Sequence, residues 1–300
     1  MLVVACHAQP ALTTQNISIT TTVGVLSTTP TEITPVTPVI TPPSTSLPVN
    51  TFDCNQDWQS LPIIPVVTDS ERAIYQQGIM AGNDPRAFSK IGDGEISTGW
   101  FLADFDLGAG HYDLGAYQNL QAVIDNFQGS YGRTGIAAGR RFNTERVFDH
   151  WRADHTLCNA GETPLACEIR NHKPALALLS LGTNQVYQPL DFEAGLRRIL
   201  DALLAEHILP ILSTKGDNLE GDYLINRKIV CVAQEYQLPL WNFWASIQPL
   251  PNHGLQPDLE HLTYYGANNF NDPATMESAW AVRNLTALQV LDHVWRAVTK

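Results

Sequence analysis

The chain predicts an α/β domain, a three-layer αβα sandwich built on a parallel sheet of about five strands. Three observations predict it. Strand-like and helix-like segments alternate from about residue 68 onward. The run Pro174-Ala-Leu-Ala-Leu-Leu-Ser-Leu181 is nearly all apolar and bounded by Pro and Gly, as a strand buried on both faces should be. Phe192 to Glu206 is amphipathic with helical period, the pattern of a helix lying on such a sheet.

The elements follow in order. Thr68-Asp69-Ser70-Glu71 has N-cap character and opens a helix over Ser70 to Met80. Ala87 to Ile91 reads as a short strand that runs into Gly92-Asp93-Gly94. Leu114 to Phe127 is helical, with Leu120, Val123, Ile124 and Phe127 on one face. Thr134 to Ala138 is the candidate second strand, and Thr144 to Trp151 reads as helix. After the 174–181 strand and the 192–206 helix come a strand over Leu209 to Ser213 and a helix over Tyr223 to Tyr236. A last strand over Pro239 to Phe243 and a closing helix over Ala279 to Val298 complete the pattern. In parallel sheets of this kind the functional crevice lies at the carboxyl ends of the strands.

Three segments divide the chain. Residues 53–300 form the globular domain, long enough for one large core. Residues 7–52 are a Thr/Pro-rich tract that cannot bury a core and is expected to stay extended and mobile. Residues 1–6, ending Val3-Val4-Ala5-Cys6, resemble the lipobox of bacterial lipoproteins behind a signal shorter than usual. That likeness implies a lipid on Cys6, a tethering linker and a cell-surface or extracellular location. The membrane would be engaged only through this anchor, because no apolar run approaches the ~20 residues of a span.

Charge and cysteines narrow the function classes. The net charge is −12, from 30 acidic and 18 basic residues, and no basic run interrupts it. Nucleic acid is thereby excluded as a partner, since phosphate binding needs clustered Lys or Arg. Cys158 and Cys167 are close in a polar loop and are the disulfide candidates of an exported chain. Cys231 falls in an apolar helical pattern, and Cys54 stands at the end of the linker. No Cys-x-x-Cys occurs, so neither a zinc nor a redox site is expected, and no cofactor is implied.

Three short motifs fall after strands or in the last loop. They are Gly92-Asp93-Gly94, Gly182-Thr183-Asn184, and Asp258-Leu259-Glu260-His261. Their order and spacing over residues 68–298 resemble the SGNH, or GDSL, hydrolases, whose layout is Gly-Asp-Ser, Gly-x-Asn-Asp and Asp-x-x-His. The resemblance implies a flavodoxin-like αβα hydrolase fold that cleaves O-acyl esters on glycans, lipids or small molecules. It makes His261 the general base and Asp258 the group that orients it. Asn184 becomes the side-chain donor of the oxyanion hole, with the Gly94 N–H beside it. The remaining donor is left among Gly139, Phe142 and Asn143.

Two departures from the pattern matter. Gln185 stands where an Asp often follows the Asn. Gly94 stands where the nucleophilic Ser should be, and glycine cannot attack a carbonyl. Ester hydrolysis is therefore expected to be impaired or lost. The alternatives are a water activated by His261 near Asp93 or Glu95, a shifted nucleophile at Ser97, and a non-catalytic module that holds its ligand in the same cleft. The expected ligand is a small-molecule or polysaccharide ester, in particular an acylated glycan.

The remaining candidates have plainer readings. Asp149-His150, Asp154-His155 and His253 are expected on solvated faces. The acidic stretch Asp217 to Asp222 reads as a solvated loop without calcium-loop spacing. Trp241, Phe243 and Trp244 are read as core or as a sugar-binding wall, and Tyr264 and Tyr265 as the rim of the pocket.

Overall fold

The computed structural model describes residues 53–266 and 268–300. The expectations for Cys6 and for the Thr/Pro tract lie outside these residues. The order of elements is α1 (Asp69–Ala81), β1 (Asp84–Gly92), α2 (Gly94–Ser97), α3 (Gln121–Asn126), α4 (Pro164–His172), β2 (Pro174–Ser180), α5 (Phe192–Ala205), β3 (Leu209–Ser213), α6 (Leu224–Glu235), β4 (Leu240–Trp241), α7 (Phe243–Ile247), α8 (Pro273–Met276) and α9 (Ala279–Val298).

The sheet is parallel, in the order β1-β2-β3-β4. Each step from β1 to β4 moves one place in the same direction. Right-handed crossovers therefore put α4, α5 and α6 on one face. On the other face α9 packs against α1, α3 and α7. β2 and β3 are buried along their whole length, which explains their unbroken apolar sequence. α9 is buried on nearly every side and makes the centre of its layer.

Among the described residues four strands form, against the expected five or so. The 134–138 segment touches the sheet through one bridge, Gly92 to Ala138. Side chains take over the rest of that edge. Ser130 Oγ accepts the Phe88 N–H at 3.2 Å, and the Arg133 guanidinium donates to the Phe88 carbonyl at 3.0 Å. Buried Glu168 takes the Ile136 N–H at 2.6 Å and pairs with Arg133 at 2.7 Å. The polar edge of β1 is thus satisfied without a full ladder. With the bridge counted as a strand remnant, the spatial order becomes 2-1-3-4-5, and the switch point falls between β1 and β2.

Other elements differ locally. Leu114 to Phe127 is not one helix: a 3-10 segment, Gly115–Leu120, kinks at Tyr117 before α3 begins. Thr144 to Trp151 forms two short 3-10 turns. The last strand stops at Trp241 because Asn242 turns the chain. Its Oδ1 accepts from Thr214 Oγ1 at 3.2 Å and from the Ala245 N–H at 3.4 Å, capping α7. α4 adds a helix to the expected pattern: Thr163-Pro164 is an N-cap followed by proline at N1, and the Thr163 hydroxyl accepts the Ala166 N–H.

Cys158 and Cys167 form the expected disulfide. A second disulfide, Cys54–Cys231, joins two cysteines for which the sequence suggests no pairing. It ties the entry segment to α6, and Asn242 holds the same segment by donating to the carbonyls of Trp58 and Leu61. Among the described residues no helix is long and apolar enough to cross a membrane.

Candidate active site

β1 and β2 end level, with Gly92 opposite Ser180. The two motif turns therefore leave the sheet side by side at the switch point. Gly92 has φ +154° and lies so close to β2 that a Cβ would sit 1.9 Å from the Ser180 carbonyl oxygen. Only glycine fits there. Asp93 follows, donating its N–H to the Ser180 carbonyl at 3.1 Å and accepting the Glu95 N–H at 3.1 Å as N-cap of α2. Gly94 is the first residue of α2. Unlike Gly92, its φ is not in the left-handed region, and a Cβ there would meet nothing within 4 Å. Its N–H has no acceptor among the described residues.

The last motif supplies a dyad. His261 Nδ1 lies 2.7 Å from Asp258 Oδ2. Asp258 Oδ1 also accepts the N–H of His261 at 3.0 Å and of Glu260 at 3.1 Å. These bonds, the His261 N–H first, hold the Asp258 carboxyl down at about 2. The same carboxylate pushes the imidazole up. The loop is docked from behind: the Gln256 N–H donates to the His261 carbonyl at 2.7 Å, and Leu262 is buried. With Nδ1 engaged by Asp258, Nε2 is the ring nitrogen left for proton transfer.

A cleft of about 570 Å³ collects Asp93, Gly94, Ser97, Thr183, Asn184 and His261. It does not collect Gly139. The Gly139 N–H donates to the Gly92 carbonyl at 3.0 Å, so it belongs to the strand remnant and is not an oxyanion donor. The Phe142 N–H is likewise taken by the Gly139 carbonyl. Asn143 uses its side chain to cap the following turn and is not in the lining. From this segment the cleft receives Arg140 and Arg141, which sequence reasoning had passed over. The Asn184 amide is oriented by donating one N–H to the Phe142 carbonyl at 3.0 Å. The Ser97 hydroxyl turns back on the Gly94 carbonyl at 3.2 Å, within its own helix.

Two buried networks support the turns. Asp93 is pushed up to about 8, by burial first and then by Glu95. Burial also raises Glu95, against the pull of Arg283. Arg283 is fully buried, packed against the rings of Phe101, Trp241, Phe243 and Trp280, with Nη1 3.5 Å from Glu95 Oε2 and Nη2 donating to Ser180 Oγ at 2.8 Å. The second network corrects the reading of residues 217–222 as a solvated loop. Asp217 and Glu220 turn inward onto buried Lys215, at 2.5 and 2.6 Å. Asp217 then accepts the Thr183 hydroxyl at 2.6 Å and so anchors the turn that carries Asn184.

The plainer expectations divide. His150, Asp154 and His155 are exposed and Asp149 half-buried, as expected of a solvated face, and His253 lies in an exposed turn. Trp241 and Phe243 are core, and Trp244 packs against Trp58 and Tyr223 instead of lining the cleft. Tyr264 stacks on Trp100, which does line it.

No protein-family model and no curated protein matches the chain. Among solved structures it is similar to a GDSL-like lipase from Bacteroides thetaiotaomicron, with 13% identity and a TM-score of 0.41 over 74% of this chain and 97% of that one. It is also similar to a psychrotrophic esterase from Pseudoalteromonas sp., with 13% identity and a TM-score of 0.41 over 69% of this chain and 97% of that one. At identities and scores this low, the roles of residues rest on the geometry described above.

Proposed function

We propose that this chain is an SGNH/GDSL-type ester hydrolase domain that acts on or binds an acylated glycan outside the cell, with hydrolysis impaired because Gly94 stands in place of the nucleophile. One observation carries the reading: a pre-oriented Asp258–His261 dyad shares a cleft with the N-terminus of α2 and the Asn184 amide. With a serine at position 94, Oγ would attack the acyl carbon and pass its proton to His261 Nε2. Asp258 would stabilise the imidazolium, while the backbone N–H of residue 94 and the Asn184 amide would receive the oxyanion. Two disulfides support an exported location, because they form and persist in oxidising compartments.

The test compares the native chain with Gly94→Ser on p-nitrophenyl acetate. Loss of a triad nucleophile costs on the order of 10⁶ in kcat and leaves a rate still ~10³–10⁴ above that in water, supplied by binding and the oxyanion donors. The serine variant should therefore exceed the native chain by at least ~10². Equal turnover would overturn the disarmed reading. It would favour a water activated by His261, for which the open space beside Gly94 leaves room. Absence of turnover in both would favour a binding module.

A further inference from the structure

Arg140 and Arg141 are exposed neighbours in the cleft lining, and neither makes an ion pair or a side-chain hydrogen bond among the described residues. The other arginines each hold a carboxylate, a backbone carbonyl or an aromatic face. Arg141 also has φ +64°, a conformation that costs energy for any residue with a Cβ and tends to persist at functional sites. Among the carboxylates of the lining, Asp93 already caps α2 and Glu95 already faces buried Arg283. That leaves Glu260 against two guanidinium groups, on a chain whose net charge is −12. A strongly acidic protein repels polyanions in general. An unpaired cationic pair inside its cleft therefore selects where an anion can sit.

The same cleft offers an aromatic platform. The Trp100 ring is half-exposed yet held on several sides. Tyr264 stacks on it with ring centroids 4.9 Å apart, and buried Trp280 packs against it nearly perpendicular, with centroids 5.9 Å apart. Its carbonyl accepts from Asn284 Nδ2 at 2.9 Å. An exposed ring that cannot swing away is pre-organised to stack on a ligand and loses little entropy on binding. A flat apolar platform beside a pair of planar, bidentate cations suits a sugar ring bearing an anionic group better than a free phosphate, which has no face to stack.

We infer that the ligand of this cleft is an anionic glycan, its ring on Trp100 and its carboxylate or sulfate on Arg140 and Arg141. The inference rests on the reading of the cleft as a glycan-ester site and names the substrate class. Isothermal titration of the full chain with a galacturonic acid tetramer, a sulfated galactose tetramer and neutral cellotetraose tests it. At least one anionic tetramer should bind about tenfold or more tighter than cellotetraose, and which one does so distinguishes carboxylate from sulfate. Arg140→Ala/Arg141→Ala should lose about tenfold and abolish the salt dependence, with an unchanged melting curve because both side chains are exposed. Trp100→Ala should weaken binding of every sugar. Equal binding of neutral and anionic tetramers, undiminished binding by the double variant, or no binding of any tetramer would overturn the inference. Turnover of p-nitrophenyl acetate by Gly94→Ser reads the hydrolase assignment separately. Turnover without arginine-dependent binding sinks the ligand class alone, and arginine-dependent binding without turnover sinks the hydrolase reading alone.

Discussion

Replacing Arg283 with Met should destabilise the domain more than any surface change. The guanidinium is fully buried in a box of four aromatic rings and faces Glu95, whose side chain is 18% exposed. Removing one member of a buried ion pair typically costs ~3–5 kcal/mol, because the other charge is stranded. Glu95 keeps some contact with solvent, which favours the lower end, about 3 kcal/mol. Met retains most of the volume and makes favourable sulfur–aromatic contacts, so no large cavity term is added. Adding Glu95→Gln removes the stranded charge. The double variant should therefore recover ~2 kcal/mol of the loss, since Nη1 and Nε of Arg283 lack hydrogen-bond partners and the native pair is incompletely satisfied. The pH dependence has a defined sign. Without Arg283 the folded-state pKa of Glu95 rises further above its unfolded value. Its contribution is then fully present below the unfolded pKa and lost as pH rises through the folded one, so the variant should be hurt least in acid. Urea unfolding of the native chain, both single variants and the double variant at several pH values measures all of this. An Arg283→Met chain within ~0.5 kcal/mol of native, or a double variant equal to the sum of the singles, would refute the reasoning.

Three further outcomes are expected. Gly92→Ala should cost more than ~4 kcal/mol or prevent folding, because its Cβ would overlap the Ser180 carbonyl, whereas Gly94→Ala should stay within ~1 kcal/mol of native; urea melts of the pair compare them directly. Cys231→Ser should destabilise more than Cys158→Ser, since the bridges span 177 and 9 residues and chain-entropy arguments give about 5 and about 2.5 kcal/mol; thermal unfolding of each variant decides the order. The dyad contributes through Asp258 above its unfolded pKa and loses that as pH falls through about 2, and through His261 below its unfolded pKa, losing that as pH rises through the raised folded value. NMR titration of the His261 ring should show a midpoint above ~6.5 that falls in Asp258→Asn.

Much of the fold was legible because its signals are local. β2, β3, α5, α6 and α9 have apolar runs or stripes long enough to specify type and limits, and they form nearly where expected. The segments that differed are those whose backbone groups are satisfied by distant side chains. The missing strand ladder at 134–138 is replaced by Ser130, Arg133 and Glu168, and β4 is cut short by Asn242. The second disulfide joins cysteines 177 positions apart, a distance over which spacing carries no signal.

For the site, the sequence by itself determined the cast and its order. The three motifs follow strands or lie in the last loop, and the Asp258–His261 spacing closes a dyad within a single turn. Position 94 cannot supply a nucleophile in any fold. The tertiary structure alone decided which groups are free to act. It committed the Gly139 N–H to Gly92 and drew Arg140 and Arg141 into the cleft. It also turned Asp217 inward to hold Thr183, and buried Arg283 beneath α2. The physical reason is that residue identity and local period set what a side chain can do. Burial, charge pairing and the hydrogen bond already made set whether it is available, and those depend on neighbours far away in the chain.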